Sequence, residues 1–378
     1  MKSAWLAVAA LVALGLPGCS DPRPGRVVLG IGLTPNSHAG VKLAADEINA
    51  AGGIDGVRLE LAGLDSTSPD AYSPWAILAT AAKFNAIPEL LAVIGHSDSA
   101  STLAAAASYN RDGIPQIVTI ATNPAITNIG SWTYRLCLSD STQGPALATY
   151  AVQQWRKTRL GIIYVNDDYG RGLARLFEAR ARALGAHIVA TAMHRNKLQA
   201  EDQQTIAETL ADLKREEADM VALFQRVEAA KWTLHALRGA GLDAAVLGSD
   251  NLAQHAFARD PSGLADGVRV SQFVNLDTSR PRVARFVDRI KAATGRDPDY
   301  AQAYGYDAVF MVRDAILRGG FTREGVKSSL DRLITGTERV QGVTGSFTLA
   351  ADHDARRPLY IAEVRAGAFR LLGALPVE

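Results

Sequence analysis

Val93-Ile94-Gly95-His96-Ser97-Asp98-Ser99-Ala100-Ser101-Thr102 is the stretch that decides the fold. It joins an apolar strand, a glycine turn and a run of small hydroxyl residues to a helix that we expect to open at Leu103. The first N–H groups of a helix lack partners within it, and its dipole adds partial positive charge, so the turn predicts an anion site. Ser99 and Ser101 are candidate helix caps. No catalytic base stands beside them, so we expect a bound carboxylate rather than a reaction.

The same strand–turn–helix pattern recurs along the chain in two successive series, before and after Ser139. Strands that alternate with helices of 10 to 15 residues indicate parallel sheets. The fold class is therefore α/β, with two doubly wound lobes. Ligands of such sheets bind at the carboxyl ends of the strands. The polar turns expected at those ends span residues 97–102, 121–123, 166–169 and 249–250.

Composition excludes several kinds of function. The chain has 378 residues, which suggests about two domains. Its formal net charge of +1 gives no reason to expect nucleic acid or an acidic membrane surface as a partner. Gly30 and Gly32 do not continue into a dinucleotide fingerprint, and no HExxH or similar metal spacing occurs, so we expect neither a cofactor nor a metal. No nucleophile–base pair is apparent, so we expect no enzyme.

The N-terminus predicts export and anchoring. Lys2 precedes an apolar run, residues 4–16, that is too short to span a bilayer, and the run ends at Leu16-Pro17-Gly18-Cys19. This pattern resembles a bacterial lipoprotein signal, with signal peptide 1–18, lipidation at Cys19 and a flexible tether over 19–25. An ordinary signal peptide with a chance cysteine is the alternative. Cys137 then stands alone, and we expect a buried, inert thiol.

The order of six motifs carries a resemblance that covers nearly the whole chain after the leader. They lie at residues 40–54, 93–102, 121–124, 140–145, 167–172 and 304–308. Their ordered set resembles the leucine/isoleucine/valine-binding proteins of bacterial ABC importers, which have the type I periplasmic-binding fold. The resemblance implies a non-enzymatic protein whose two lobes close around an amino acid or a related small molecule.

The resemblance also implies a set of ligand-binding residues. Ser99, Ala121 and Thr122 would hold the carboxylate of the ligand, Tyr169 would cover it from the other lobe, and Asp250 would meet its ammonium. Four of these residues also have a structural alternative: Ser99 is a helix cap, Thr122 provides a turn hydroxyl, Tyr169 is a packing aromatic, and Asp250 is a turn-forming aspartate.

The sequence departs from the family pattern in two places near these residues. The first loop, residues 34–38, is shorter than usual, and Gln225-Arg226 replaces an aromatic contact. Arg226 either meets a polar or acidic part of the ligand or is a solvated residue at a helix start. We interpret His96 as a buried structural histidine. We interpret Tyr306 and Asp307 as structural or cleft-edge residues.

The expected domains follow from a hinge of three chain crossings, near residues 140, 273 and 341. Lobe 1 then comprises 26–140 plus 274–341, and lobe 2 comprises 141–273 plus 342–378. We expect the solute-binding component of an ABC importer, held by its lipid in the periplasm or at the cell surface, with an ABC permease in the inner membrane as partner. A sensory lobe for a signalling partner, or an outer-membrane lipoprotein that regulates cell-wall synthesis, are the alternatives.

Overall fold

The structure is a computed structural model that describes residues 23–63, 73–336 and 338–376. The expected signal peptide, Cys19 and the start of the tether lie outside these residues. Within them, no helix combines the length and the apolar character that crossing a bilayer would require.

One sheet is built from the N-terminal third of the chain. Its strands are β1 (Arg26–Gly32), β2 (Arg58–Gly63), β3 (Leu90–Gly95), β4 (Gln116–Val118) and β5 (Thr133–Arg135), in the spatial order β2-β1-β3-β4-β5. All neighbouring strands are parallel. The order reverses between β1 and β3, and this switch point of a doubly wound sheet lies beside the turn that follows β3.

A second sheet repeats this topology. Its strands are β6 (Arg159–Val165), β7 (His187–His194), β8 (Met220–Phe224), β9 (Ala245–Gly248) and β10 (Arg269–Gln272), and two antiparallel strands complete it, β14 (Leu359–Arg365) and β15 (Ala368–Leu375). The spatial order is β15-β14-β10-β9-β8-β6-β7. A small third sheet joins β11 (Val340–Gly342), β12 (Gly345–Leu349) and β13 (Ala355–Arg356). The prediction of two doubly wound lobes is confirmed.

The helices flank the two large sheets. They are α1 (Pro35–Ala50), α2 (Pro74–Asn85), α3 (Ser99–Arg111), α4 (Asp140–Thr149), α5 (Asp168–Ala183), α6 (Ala200–Arg215), α7 (Val227–Gly239), α8 (His255–Ala258), α9 (Pro281–Thr294), α10 (Tyr300–Gly319) and α11 (Arg323–Ile334). The spacing of apolar residues in the sequence predicts helices over 74–85 and 227–239 and a strand over 220–224, and α2, α7 and β8 have these bounds. The sequence also predicts short antiparallel strands at 345–349, 359–364 and 369–372, and they are present as β12, β14 and β15.

Two local predictions are wrong. Helix α3 opens at Ser99, not Leu103, and its cap is Asp98, whose carboxylate accepts hydrogen bonds from Ser101 N and Ser101 Oγ at 2.9 and 2.8 Å. Both aspartate and serine are strong N-cap residues, and Asp98 is the cap because its backbone is extended. The expected loop 34–38 belongs to α1 from Pro35 onward, because proline fits the first helical position.

Close packing explains why position 32 is a glycine. Gly32 is one of the two glycines that could have suggested a nucleotide site. A Cβ at Gly32 would lie 2.5 Å from His96 Nδ1. The His96 ring is fully buried, and its Nε2 lies 3.0 Å from the hydroxyl of Tyr109. Burial lowers the pKa of His96 to about 4, so this histidine is neutral and packs as a structural residue.

Candidate functional site

The site lies where the carboxyl ends of the two large sheets meet. Helix α3 follows β3, helix α5 follows β6, and a short turn, Asp250–Leu252, follows β9. Asn123 Nδ2 donates to the carbonyl of Asp168 at 2.7 Å, and Arg259 pairs with Asp297 at 3.0 Å. These contacts join residues on opposite sides of the cleft, so the structure is a closed form.

A small cavity brings together most of the predicted site residues. It is lined by Ser97, Asp98, Ser99, Ile120, Ala121, Tyr169, Arg226, Asp250 and Asn251. Its volume is about 20 Å³, close to the space that one water molecule needs. An amino acid could therefore enter only if the two sides separate.

The turn at the start of α3 presents polar groups to this cavity. Ser99 Oγ accepts a hydrogen bond from Asn123 N at 3.3 Å, and its own proton remains free to be donated. Thr122 is oriented differently, since its hydroxyl donates to Asp140 Oδ2 at 2.8 Å. A ligand carboxylate needs donors, so Ser99 Oγ and backbone N–H groups suit it better than the Thr122 hydroxyl.

Asp250, which lines the cavity, is joined through one amide to a second buried carboxylate, that of Asp140. Gln143 Nε2 donates to Asp140 Oδ1 and to Asp250 Oδ1, each at 2.9 Å. The carbonyl oxygen of Gln143 accepts from Ser271 Oγ at 2.7 Å. Asp140 and Asp250 are 0% and 2% exposed, and neither forms an ion pair with any residue that the structure describes.

Burial shifts the protonation equilibria of Asp140 and Asp250 towards the neutral acids. Burial, together with the charge of Asp250, raises the pKa of Asp140 to about 7, and burial raises the pKa of Asp250 to about 6. Two carboxylates that share one buried site cannot both ionise cheaply without a cation. A positively charged ligand group would therefore be favoured here.

Tyr169 completes this side of the cavity. Its hydroxyl donates to Asp250 Oδ1 at 3.1 Å and lies 2.6 Å from Ser249 Oγ. Burial and the nearby Asp250 charge raise the pKa of Tyr169 far above its ordinary value, so it remains a hydrogen-bond donor. The side chain is held by its hydroxyl as well as by packing.

Arg226 lies at the rim with its charge already partnered. Its Nη2 donates to Asp167 Oδ2 at 2.8 Å and its Nε to Asn196 Oδ1 at 2.7 Å. The carboxylate of Asp167 also caps α5 through Gly170 N. Arg226 thus stabilises the helix start that positions Tyr169, and it would have to exchange a partner to meet an acidic ligand.

A buried ion pair supports the turn that carries Ala121. Arg135 donates from Nε and Nη2 to the two oxygens of Asp354, both at 2.7 Å, and from Nη1 to the carbonyls of Asn123 and Ala121 at 2.7 and 3.4 Å. The sequence analysis missed this pair, because its members lie 219 positions apart. Cys137 nearby is fully buried and donates to the Ala121 carbonyl, and burial raises its pKa, in agreement with an inert thiol.

Tyr306 and Asp307 have structural partners. Asp307 accepts hydrogen bonds from Val343 N at 2.8 Å and from Thr344 N at 2.9 Å, which fixes the turn between β11 and β12. Tyr306 donates to Glu47 Oε2 at 2.6 Å. No group of three or more metal-ligating side chains occurs in the part of the chain that the structure describes.

Comparison with characterised proteins identifies the family. The periplasmic binding protein family model matches residues 32–368, and the chain belongs to this family. The Leu/Ile/Val-binding protein of Escherichia coli is 31% identical over 266 residues, covering 69% of this chain and 68% of that protein. An amino acid binding protein of Pseudomonas aeruginosa is 33% identical over 189 residues, and the match spans about half of each chain.

The fold comparison agrees with the family. A leucine-binding protein from Thermotoga maritima superposes with a TM-score of 0.82 at 22% identity, over 92% of this chain and 98% of the other. The type I periplasmic-binding fold expected from the sequence motifs is thus confirmed. Members of this family are substrate-binding proteins, so a solute-binding role is supported.

Proposed function

We propose that the chain is the extracytoplasmic solute-binding component of an ABC importer and that it holds an amino acid between its lobes. The observation that carries this proposal is the cavity that brings the start of α3 together with Asp250, a buried carboxylate linked through Gln143 to a second one, Asp140. An amino acid offers one charge to each side: its carboxylate to the α3 turn and its ammonium to the acid pair.

Individual residues have distinct roles in this proposal. Ser99 and the Ala121–Thr122 backbone bind the ligand carboxylate, while the Thr122 hydroxyl orients Asp140. Asp250 accepts the ammonium, and Tyr169 covers the ligand and donates to Asp250. Arg226 borders the entrance.

Hinge closure accounts for the small cavity. The two lobes separate to admit the ligand and close to exclude water, with the chain crossing between them near residues 140 and 273. For the third crossing we propose residues 357–359 instead of 341, because β5 holds the preceding segment: Arg135 N donates to His353 O at 2.9 Å and the Arg135 side chain binds Asp354.

We also propose that Cys19 is lipidated and anchors the protein outside the cytoplasm, beside an inner-membrane permease. Cys19→Ala should abolish incorporation of labelled fatty acid and release the protein from the membrane fraction. Unchanged labelling would remove the anchor from the proposal. An importer permease encoded beside the gene favours transport, and a signalling protein there favours the sensory alternative.

Titration calorimetry of the purified protein against the standard amino acids and short amides tests the function. The proposal predicts at least one ligand whose binding is weakened by both Ser99→Ala and Asp250→Asn. If both variants bind that ligand as tightly as the wild type, the site is elsewhere. Binding by none of the compounds would favour regulation through protein contacts.

A further inference from the structure

A large groove on lobe 1 lies apart from the ligand site. Its volume is about 630 Å³, and it is formed by α1, α9 and α10. The lining residues are Glu47, Ala50, Ala51, Arg282, Arg285, Phe286, Arg289, Tyr306, Phe310 and Arg313. We call it the arginine groove, after its four arginines. Nothing in the amino-acid-binding role explains this concentration of guanidinium groups.

The charges in the groove are only partly balanced. Arg289 pairs with Glu47 at 2.5 Å, and Arg313 pairs with Asp314 just outside the lining. Arg282 donates to the neutral carbonyl of Gln341 at 2.6 Å and lies over the Phe310 ring, 5.5 Å from its centroid, and it forms no ion pair with any residue that the structure describes.

Arg285 has the fewest polar partners of the four arginines that line the groove. It is exposed and forms no hydrogen bond or ion pair with any residue in the described ranges. Four arginines against a single lining carboxylate leave an excess of positive charge around a concave surface, which attracts anions.

The groove and the described part of the expected tether, residues 23–25, lie at the same end of lobe 1. Helix α1 starts at the carboxyl edge of β1, beside the cleft, and ends at Ala50 near the opposite edge of the sheet. Arg23, three residues before β1, donates to the carbonyl of Asp55 at 3.0 Å in the loop that follows α1. The first described residue, Arg23, therefore lies beside the end of α1, and Ala50 and Ala51 at that end line the groove.

The length of the tether limits how far a lipid at Cys19 could lie from this end. Four residue steps separate Cys19 from Arg23, and an extended chain covers at most about 14 Å in four steps. A membrane that holds the lipid would then lie close to the arginine groove. Guanidinium groups bind phosphate in a bidentate manner, which suits the headgroups at such a surface.

We propose that the arginine groove binds the phosphates of anionic phospholipids in the membrane to which Cys19 anchors the chain. The inference rests on the lipid anchor proposed above. It gives the anchored protein a preferred orientation, with the amino edge of the first sheet towards the lipid.

Chemical modification of arginine tests this orientation. The full chain, produced with its own leader and isolated from membranes, is placed in vesicles of phosphatidylcholine alone or mixed with phosphatidylglycerol. Phenylglyoxal is added, and mass spectrometry follows the modification of Arg285. Arg175, an exposed arginine on α5 of lobe 2, is the control within the same sample. The same spectra report whether Cys19 is acylated.

The proposal predicts that phosphatidylglycerol slows modification of Arg285 roughly fivefold, the attraction expected for one arginine near an anionic surface, and leaves Arg175 unchanged. Salt at about 1 M, where the Debye length is about 3 Å, should remove the difference. The Arg282→Gln/Arg289→Gln variant should weaken the protection, because it removes two neighbouring charges.

Separate outcomes overturn separate claims. Equal Arg285 rates in the two kinds of vesicle, with Cys19 acylated, overturn the groove proposal and leave the anchor intact. An unacylated Cys19 with phosphatidylglycerol-dependent protection overturns the anchor only. Protection by inorganic phosphate without vesicles assigns the groove to a free anion, and protection by polyglutamate but not by vesicles assigns it to an acidic protein segment; both contradict the membrane proposal.

Discussion

Replacing Asp250 by asparagine isolates its charge from its shape. Asp250 is 2% exposed and accepts hydrogen bonds from Gln143 and Tyr169 at 2.9 and 3.1 Å. Asparagine retains an acceptor oxygen for these donors, so Asp250→Asn should fold. An alanine would leave both donors unsatisfied and would mix a loss of stability with a loss of binding.

The magnitude follows from the burial of the proposed ion pair. Removing one charge from a buried, hydrogen-bonded pair typically costs about 3–5 kcal/mol, and the lower end applies here because Asp140 lies beside the site. A loss of about 3 kcal/mol of binding free energy corresponds to a roughly 100-fold larger dissociation constant. The free energy of unfolding without ligand should not fall, since the substitution removes a buried charge.

Titration calorimetry with the tightest-binding amino acid, beside thermal unfolding of the ligand-free protein, measures both quantities. Gln143→Glu is a useful companion, because it adds a third carboxylate to the cluster and should destabilise the ligand-free protein. An Asp250→Asn protein that binds within about threefold of the wild type, well under the 1.4 kcal/mol of a tenfold change, would refute the ammonium role of Asp250.

Four further results are expected. Burial raises the pKa of Asp250 to about 6, so its carboxylate forms above that pH. The affinity for the amino acid should therefore rise about tenfold between about pH 5 and about pH 7.5. A calorimetric affinity that does not change with pH would contradict this. Ser99→Ala should weaken binding by about tenfold or more through loss of a donor to a charged group, with unchanged affinity excluding the contact. Arg135→Met leaves a buried carboxylate unpaired and should lower the free energy of unfolding by about 3–5 kcal/mol in denaturant titration, whereas a loss below about 1 kcal/mol would show that the pair is unimportant. Gly32→Ala should lower the free energy of unfolding by about 1–3 kcal/mol by the same method, because its Cβ would meet His96. Gly63→Ala, where a Cβ would enter open space, is the matched control. Equal effects of the two substitutions would contradict the packing argument.

The pH dependence of the ligand-free protein has the opposite sign to that of binding. The folded-state pKa values of Asp140 and Asp250, about 7 and about 6, lie above the ordinary value of 3.8. The folded state therefore retains protons that the unfolded state has lost, and stability declines as pH rises from about 4 to 7. Bound ligand should reduce this decline, because its ammonium stabilises the ionised carboxylates.

The architecture could be predicted from sequence because local patterns determine it. Apolar runs and helical spacing locate elements such as β8 and α7, and their alternation implies parallel sheets. The same apolar runs predict strands over 114–120 and 132–138, which are longer than the observed Gln116–Val118 and Thr133–Arg135. The apolar residues continue beyond the last residue that pairs with the neighbouring strand, whereas the observed strand ends where this pairing ends.

The site was only partly predictable. Residues in polar turns after strands, such as Ser99 and Asp250, could be placed because the carboxyl ends of parallel strands share one edge. The link through Gln143 could not be placed, because it joins positions 107 residues apart and depends on how α4 packs. The choice of Asp98 over Ser99 as the cap depends on backbone angles that the sequence leaves open.

The central claim is that the cleft recognises both charges of an amino acid. The most direct measurement is calorimetric: the dissociation constant of the tightest-binding amino acid is compared with those of its amide and of the corresponding acid that lacks the amino group. Both analogues should bind roughly 100-fold more weakly, since each leaves one side of the cleft without its partner charge. Equal affinity for the deaminated acid would contradict the account, because the buried carboxylates would then have no part in binding.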